Sequence, residues 1–257
     1  MLKQKKALVI GIMSDRSIAY GIANAMHTHG AELGLSYLER FTDRVNKLAE
    51  PWKPWLSHSC DVAKDSDIIN LAEAVKEKVG KIDVLVHSIA FAPRDHLEGG
   101  LLDNMTREGF LTAHEISTYS LAALTKAFLP IINDHGSICT MTYLGSQRAV
   151  PNYNVMGLAK ASLESAVRYL AMDCGKHNIR VNAISAGPIR TPSAAGVKDM
   201  RSLQSTVAQA SAIKQPVTID EVGNACAFLC SPLASGITGE TIYVDNGFNM
   251  SIGSHAE

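Results

Sequence analysis

An α/β domain built on a doubly wound parallel sheet is predicted by three features of the chain. Seven short runs rich in Val, Ile and Leu are hydrophobic on both faces; helical patterns separate them; and a glycine turn after the first run opens a helix. Strands that are apolar on both faces belong to parallel sheets covered by helices on both sides. Regular βαβ alternation of this kind makes the expected domain Rossmann-type, with about seven strands.

The runs are "KALVIGI" (6–12), "ELGLSYL" (32–38), "WLSHSCDV" (55–62), "IDVLVHSIA" (82–90), "GSICTMTY" (136–143), "RVNAISAG" (180–187) and "TIYVDNG" (241–247). Residues 188–218, between the sixth and seventh runs, hold no strand. Val197, Met200, Leu203 and Val207 recur there at helical spacing. A long segment beside a strand end is more often a binding loop than a passive linker. The expected organisation is one domain over 1–257 with a substrate-binding lid at about 190–212.

Two helical stretches, "VMGLAKASLESAVRYLAM" and "STYSLAALTKAFL", are small or apolar on nearly every side. A helix apolar all round has to be buried all round. One side faces the sheet and the other calls for a partner, so a homo-oligomer is expected.

Composition sets outer bounds on function. Hydrophobic residues are 46% and charged residues 19% of the chain, an ordinary globular balance. A net charge of −1 lacks the basic footprint of nucleic-acid binding. No apolar run reaches the roughly 20 residues of a membrane span. The start, "MLKQKKALVIGI", reads as a first strand rather than a signal peptide, and a cytoplasmic location is expected. The five cysteines (60, 139, 174, 226, 230) are odd in number and scattered, which argues against a disulfide framework. Cys226 and Cys230 share a helix face without a second ligand pair in sequence, and read as buried core thiols. His27 and His29, two apart, do not share a face. No metal is assigned.

The turn after the first strand, "GIMSDRSIAYGIA", has the parts of a dinucleotide site. Gly11 suits the tight turn, and Ser17 and Ile18 open a helix whose first N–H groups suit a pyrophosphate. Asp61 and Val62 end the third run, where a carboxylate suits an adenine amino group; Ser88, Ile89 and Ala90 end the fourth, small enough for a nucleotide to cross. The second run ends "YLER", where Glu39 repels a 2′-phosphate and Arg40 attracts one; NADH is favoured over NADPH.

In "YLGSQRAVPNYNVMGLAK", Tyr143 and Tyr153 lie ten residues apart and Lys160 seven beyond the second. On a helix, seven residues turn about 700° and rise roughly 10 Å, so Lys160 falls nearly under Tyr153. Carbonyl reductases of this fold use a spacing of four, yet residue 156, where that tyrosine would fall, is Met. The wider spacing suits a substrate whose oxygen lies far from the carbon that takes hydride. An α,β-unsaturated thioester is one: hydride goes to C3, and charge collects on a carbonyl oxygen three bonds away.

Taken together, "SIAYGIA", "VHSIAFAPRD", Tyr143-x9-Tyr153-x6-Lys160, "NYNVMGLAKASLE", "VNAISAGPIRT", "EVGNACAFLCS", "ITGE" and "YVDNG" span nearly the whole chain. In these motifs the sequence resembles the bacterial NADH-dependent enoyl-acyl-carrier-protein reductases of the short-chain dehydrogenase/reductase superfamily. The resemblance implies reduction of a trans-2-enoyl thioester borne by acyl carrier protein, in fatty acid elongation, by a homotetramer. It implies that Tyr153 stabilises the enolate and that Lys160 binds the nicotinamide ribose. Tyr143 either positions the acyl chain or assists Tyr153. Gly11, Ser17, Ile18, Leu38, Asp61, Val62, Ile89 and the run Ile189, Arg190, Thr191, Pro192 and Ser193 are implied to line the cofactor. Ala92 and Met156 are implied to border the substrate with the two tyrosines. Water and a ribose–lysine relay both stay open as the source of the C2 proton.

The sequence departs from the family pattern at Leu38, where many members carry a polar residue, and at Pro192, where Leu is usual. Lys198 and Arg201, neighbours on one helical face, are the expected docking charges for an acidic carrier protein; Ser202 replaces a further basic residue. The competing expectations are a 3-ketoacyl or other carbonyl reductase, and a non-catalytic NAD-binding regulator.

Overall fold

The computed structural model describes residues 1–192, 194 and 200–251. In chain order the elements are β1 (Lys6–Ile10), α1 (Ile18–Thr28), β2 (Glu32–Tyr37), α2 (Thr42–Ala49), β3 (Leu56–Ser59), α3 (Asp65–Val79) and β4 (Ile82–His87). They continue with α4 (Leu101–Asn104), α5 (Arg107–His114), α6 (Ser120–Phe128), β5 (Ile132–Thr142), α7 (Asn154–Gly175), β6 (Arg180–Ala186), α8 (Met200–Ala210), α9 (Ile219–Leu229) and β7 (Thr241–Val244).

All seven strands lie in one sheet in the order β3-β2-β1-β4-β5-β6-β7, every neighbouring pair parallel. The inner strands β4 and β6 are buried at every position, whereas the edge strand β3 is half exposed. That contrast follows from covering only the middle of the sheet with helices on both sides. One apolar layer holds α1, α2 and α9 against Val9, Val86, Cys139 and Ile184. The other holds α3, α6 and α7 against Leu8, Leu85, Ile138 and Val181.

The winding reverses between β1 and β4, and the crevice outside their carboxyl ends is where ligands of such sheets sit. The register Ile10↔His87 brings Gly11 beside Ser88. A Cβ on Gly11, whose φ is +105°, would lie 2.3 Å from the Ser88 carbonyl oxygen. Only glycine permits that approach. On the same face, a Cβ on Gly223 of α9 would lie 2.4 Å from the Gly21 carbonyl oxygen of α1, so two glycines bring these helices together.

All seven expected strands are present, with shifted ends. β3 stops at Ser59, so Asp61 and Val62 lie in the following turn rather than in the strand. The Asp61 carboxylate accepts from the Ala63 N–H at 3.2 Å and closes that turn. β4 stops at His87, three residues before the expected end, and β5 starts at Ile132, four before the expected start. A register shift between Ile82 and Val84 lets Ile132 pair with Ile82. Of the lid segment, Ser193 and residues 195–199 lie outside the described residues, and α8 carries Met200–Ala210 of it. Val207 of α8 is buried, as its helical spacing requires.

Candidate active site

Tyr153 occupies the N-cap position of α7 between two asparagines in the left-handed region, Asn152 at φ 63° and Asn154 at φ 38°. Asparagine tolerates that region better than most residues. The Asn154 side chain donates to the carbonyls of His96 (3.3 Å) and Gly99 (3.2 Å), tying the start of α7 to the 96–99 loop. The helical count from Tyr153 to Lys160 is corrected accordingly: α7 begins at Asn154, and Tyr153 stands just off its end.

The ring of Tyr143, half-buried in the loop after β5, meets that of Tyr153 edge to face at 4.8 Å. Burial pushes the Tyr143 phenol up to about 12. Burial also raises Tyr153, with Tyr143 and Glu164 adding to the effect. Both phenols are therefore protonated at neutral pH and able to donate. Gly145 makes the pairing possible: a Cβ there would lie 2.4 Å from Tyr153 Cδ1 and 3.3 Å from Tyr143 Cδ1.

Lys160 is buried, 4% exposed, and donates to the Met141 carbonyl at the end of β5 at 2.7 Å. Burial pulls its ammonium down to about 8, while Glu164 one turn further along α7 opposes the shift. The ammonium is thus mostly charged at neutral pH and close to titrating.

Glu164 is a residue the sequence reading missed. Buried at 6% exposure, it accepts from Thr142 Oγ1 (2.8 Å), Ser146 Oγ (2.5 Å) and Gln147 Nε2 (3.4 Å). It bolts the Tyr143 loop to α7. The available signal was its place four residues after Lys160, on the same helical face.

His87 was also missed. Wholly buried, its Nδ1 lies 2.8 Å from Thr140 Oγ1 and its Nε2 2.8 Å from Ser120 Oγ. Ser120 spends its own hydrogen on the Ile116 carbonyl, so Nε2 is the nitrogen that carries the proton. Burial, then the Lys160 charge, pull His87 down to about 3 and keep it neutral.

Of the expected substrate-side residues, Ala92, Tyr153 and Met156 come together in one apolar cluster with Leu97, Ala113, Val155 and Ala159. Ser117 holds the wall. Its hydroxyl accepts from the Phe91 N–H at 3.0 Å and lies 3.8 Å from Met156 Sδ, from a π-helical turn spanning Glu115–Tyr119. Such turns recur at functional sites, but their extra residue has no sequence signature.

On the cofactor side, Ser17 is the N-cap of α1, accepting from the Tyr20 N–H at 3.3 Å. Its own hydroxyl donates to the Ser14 carbonyl at 2.7 Å, so Ser17 shapes the turn. Ile18 opens the helix, whose first turn Ser17 closes by accepting from the Tyr20 N–H through its carbonyl as well, at 3.0 Å. Ile89 packs against the space a Gly11 side chain would need. Leu38 is half-buried and Val62 buried at the two neighbouring strand ends.

After β6, Ile189 packs on the core and Thr191 turns the chain, its N–H bonded to the Ile189 carbonyl at 2.8 Å. Pro192 is half-buried in that turn. Arg190 Nε donates to Gln204 of α8 at 2.7 Å. Ile189, Arg190 and Gln204 line, with Asp15, Arg16 and Ile219, a cleft of about 350 Å³ between the first loop and the segment after β6. Ser193 and Lys198 lie outside the described residues, as does the side chain of Arg201.

A glycine turn at a switch point, a serine-capped helix N-terminus and a cleft beside them fit a dinucleotide. The thiols correct one expectation: Cys226 and Cys230 are not a lone pair, because Cys139 of β5 joins them.

The model of the family described as enoyl-(acyl carrier protein) reductase matches residues 11–249. The chain belongs to this family. It is 49% identical over 251 residues to the enoyl-(acyl-carrier-protein) reductase (NADH) FabI of Haemophilus influenzae, covering 97% of this chain and 96% of the relative. Among solved structures it matches the enoyl-(acyl-carrier-protein) reductase (NADH) of Aquifex aeolicus with a TM-score of 0.95 at 45% identity, over 98% of both chains. It also matches the Bacillus cereus enoyl-acyl carrier protein reductase, solved with NADP+ and indole naphthyridinone, with a TM-score of 0.94 at 46% identity, covering 97% of this chain and 98% of that one. The fold and family expectations hold.

Proposed function

We propose that this protein is an NADH-dependent enoyl-(acyl-carrier-protein) reductase that converts a trans-2-enoyl thioester to the saturated acyl thioester in fatty acid elongation. The observation that carries the reading is the edge-to-face pair of protonated phenols, Tyr143 and Tyr153, on a wall containing Met156, with Lys160 in the helix behind them. Family membership supports it, as do relatives named for this activity with NADH.

NADH, when bound, supplies the hydride that adds to C3. Gly11, the N-terminus of α1, Leu38, Asp61, Val62, Ile89 and the run 189–193 would hold it. Tyr153 donates its O–H to the thioester carbonyl, and that bond strengthens as charge builds on the oxygen. Stabilising a developing oxyanion is commonly the largest single catalytic term. Lys160 presents a buried ammonium to the ribose hydroxyls, and Glu164 holds the loop that carries Tyr143. Ala92 and Met156 give the acyl chain an apolar wall.

The chain acts as one reductase domain with residues 190–212 as a lid, and Lys198 and Arg201 receive the acidic carrier protein. Leu158, Tyr169 and Met172 stay exposed on α7, which supports burial against further copies in a homotetramer. No helix among the described residues is long and apolar enough to cross a membrane, which accords with a cytoplasmic enzyme.

Loss of NADH absorbance with a 2-enoyl thioester tests the reading. Turnover of a 3-ketoacyl thioester instead would make the protein a carbonyl reductase. Binding of NADH without turnover of either would make it a regulator.

A further inference from the structure

Away from the tyrosines, the sulfurs of Cys139, Cys226 and Cys230 lie within 4.8 Å of one another, all buried. They sit on the α1–α9 side of the sheet, Cys139 pointing out of β5, Cys226 on α9 and Cys230 one turn on at its C-cap. Cys60 and Cys174 pack into the opposite layer. Three ligands bonded to one thiophilic cation at about 2.3 Å have sulfurs roughly 4 Å apart, so the cluster needs little movement to close on an ion.

Two neighbours are what such a site calls for. Ser137, two residues before Cys139 and therefore on the same face of β5, has a buried hydroxyl without a hydrogen-bond partner. Arg180 of β6, held by the carbonyls of Leu229 (2.7 Å) and Ser231 (3.1 Å), places a buried guanidinium beside the thiols. Three thiolates and a divalent cation sum to one negative charge, which Arg180 offsets. A buried polar cluster is costly unless its members are satisfied together, and an ion would satisfy all of them.

We propose that Cys139, Cys226 and Cys230 form a three-thiolate site for a soft divalent cation such as Zn²⁺, with the Ser137 hydroxyl as the fourth group. The ion ties α9 to β5 and is structural. Starting from three thiols, binding forms three metal–sulfur bonds and releases three protons, with no change of oxidation state. Cys230, 6% exposed at the end of α9, is where an ion enters.

Reduced, chelator-treated protein titrated anaerobically with Zn²⁺ against a chromophoric chelator should bind one ion per chain and melt at higher temperature. Cd²⁺ should give a sulfur-to-metal charge-transfer band. Cys139→Ala, Cys226→Ala and Cys230→Ala should each weaken binding by roughly a hundredfold or more, and Ser137→Ala by about tenfold. Cys60→Ala and Cys174→Ala should bind as the parent does. X-ray absorption on the zinc-loaded parent needs no variant and should show three sulfur neighbours at about 2.3 Å. A shell of nitrogen and oxygen only, absence of stoichiometric binding, or equal losses in the Cys60 and Cys174 variants would overturn the site. So would a Cys226–Cys230 disulfide, seen as a loss of two hydrogens with no metal retained.

Discussion

Tyr143 and Tyr153 meet edge to face, ring centroids 4.8 Å apart and planes at 68°, over a loop whose Gly145 leaves the space that a side chain there would take from both rings. Tyr153 is anchored at the start of α7, whereas Tyr143 rides on a loop that Glu164 holds.

Tyr153→Phe should lower kcat by roughly a hundredfold to a thousandfold and leave NADH affinity nearly unchanged, because its bond matters most once charge develops. Lys160→Ala should weaken NADH binding and turnover together. Steady-state kinetics with a fluorescence titration of NADH separates the two. Equal losses of NADH affinity in both variants would refute this division.

Gly145→Ala puts a methyl group 2.4 Å from Tyr153 Cδ1, which forces the ring aside. Overpacking of this kind costs about 1–3 kcal/mol. We expect a lower melting temperature and a kcat loss approaching that of Tyr153→Phe, with NADH affinity retained. Parent-like kcat would mean that the ring position is not limiting.

Glu164→Gln keeps the side chain's shape but gives the Thr142 and Ser146 hydroxyls a weaker acceptor. It should raise KM for the enoyl thioester more than it lowers kcat, since the loop it holds carries Tyr143. A purely structural role would lower the melting temperature and leave the ratio of KM to kcat unmoved.

Lys160 and His87 make stability depend on pH in two windows. Lys160 titrates near 8 folded and near 10.5 unfolded. Between these values the unfolded chain binds more protons, so stability rises with pH, by on the order of 3 kcal/mol in all. His87 falls from 6.5 to about 3 on folding, so stability is lost as pH drops through 6.5 towards 3. Denaturant melts across pH should show that Lys160→Met removes the alkaline slope and His87→Gln much of the acid one. In turnover, NADH affinity of the free enzyme should fall as pH rises through about 8, when the ammonium is lost. An unchanged profile in Lys160→Arg would show that another group titrates.

Glu39 and Arg40 stand exposed after β2, with the Arg40 guanidinium 4.9 Å above the Phe41 ring. Held there, Arg40 leaves the Glu39 charge to act on a 2′-phosphate. Parent kcat/KM should favour NADH over NADPH, and Glu39→Gln should narrow the ratio by about tenfold. Equal efficiencies in the parent would mean that Arg40 dominates.

Much was legible in the chain because it rests on short-range periodicity. Runs apolar on both faces determined seven strands, their alternation with helices determined the doubly wound sheet, and Tyr143, Tyr153, Lys160 and Met156 were marked by spacing within eighteen residues. Other features join residues far apart along the chain, where no spacing rule reaches. Folding alone set Glu164 against Thr142, and His87 between Thr140 and Ser120. It placed Tyr153 off the end of its helix, because two asparagines in the left-handed region interrupt the helical path. It also brought Cys139 to Cys226 and Cys230 across eighty-seven residues of chain. Local pattern dictates which surface an element buries; which buried groups then meet depends on how the sheet stacks its strands, and that order is decided only by the packing of the whole.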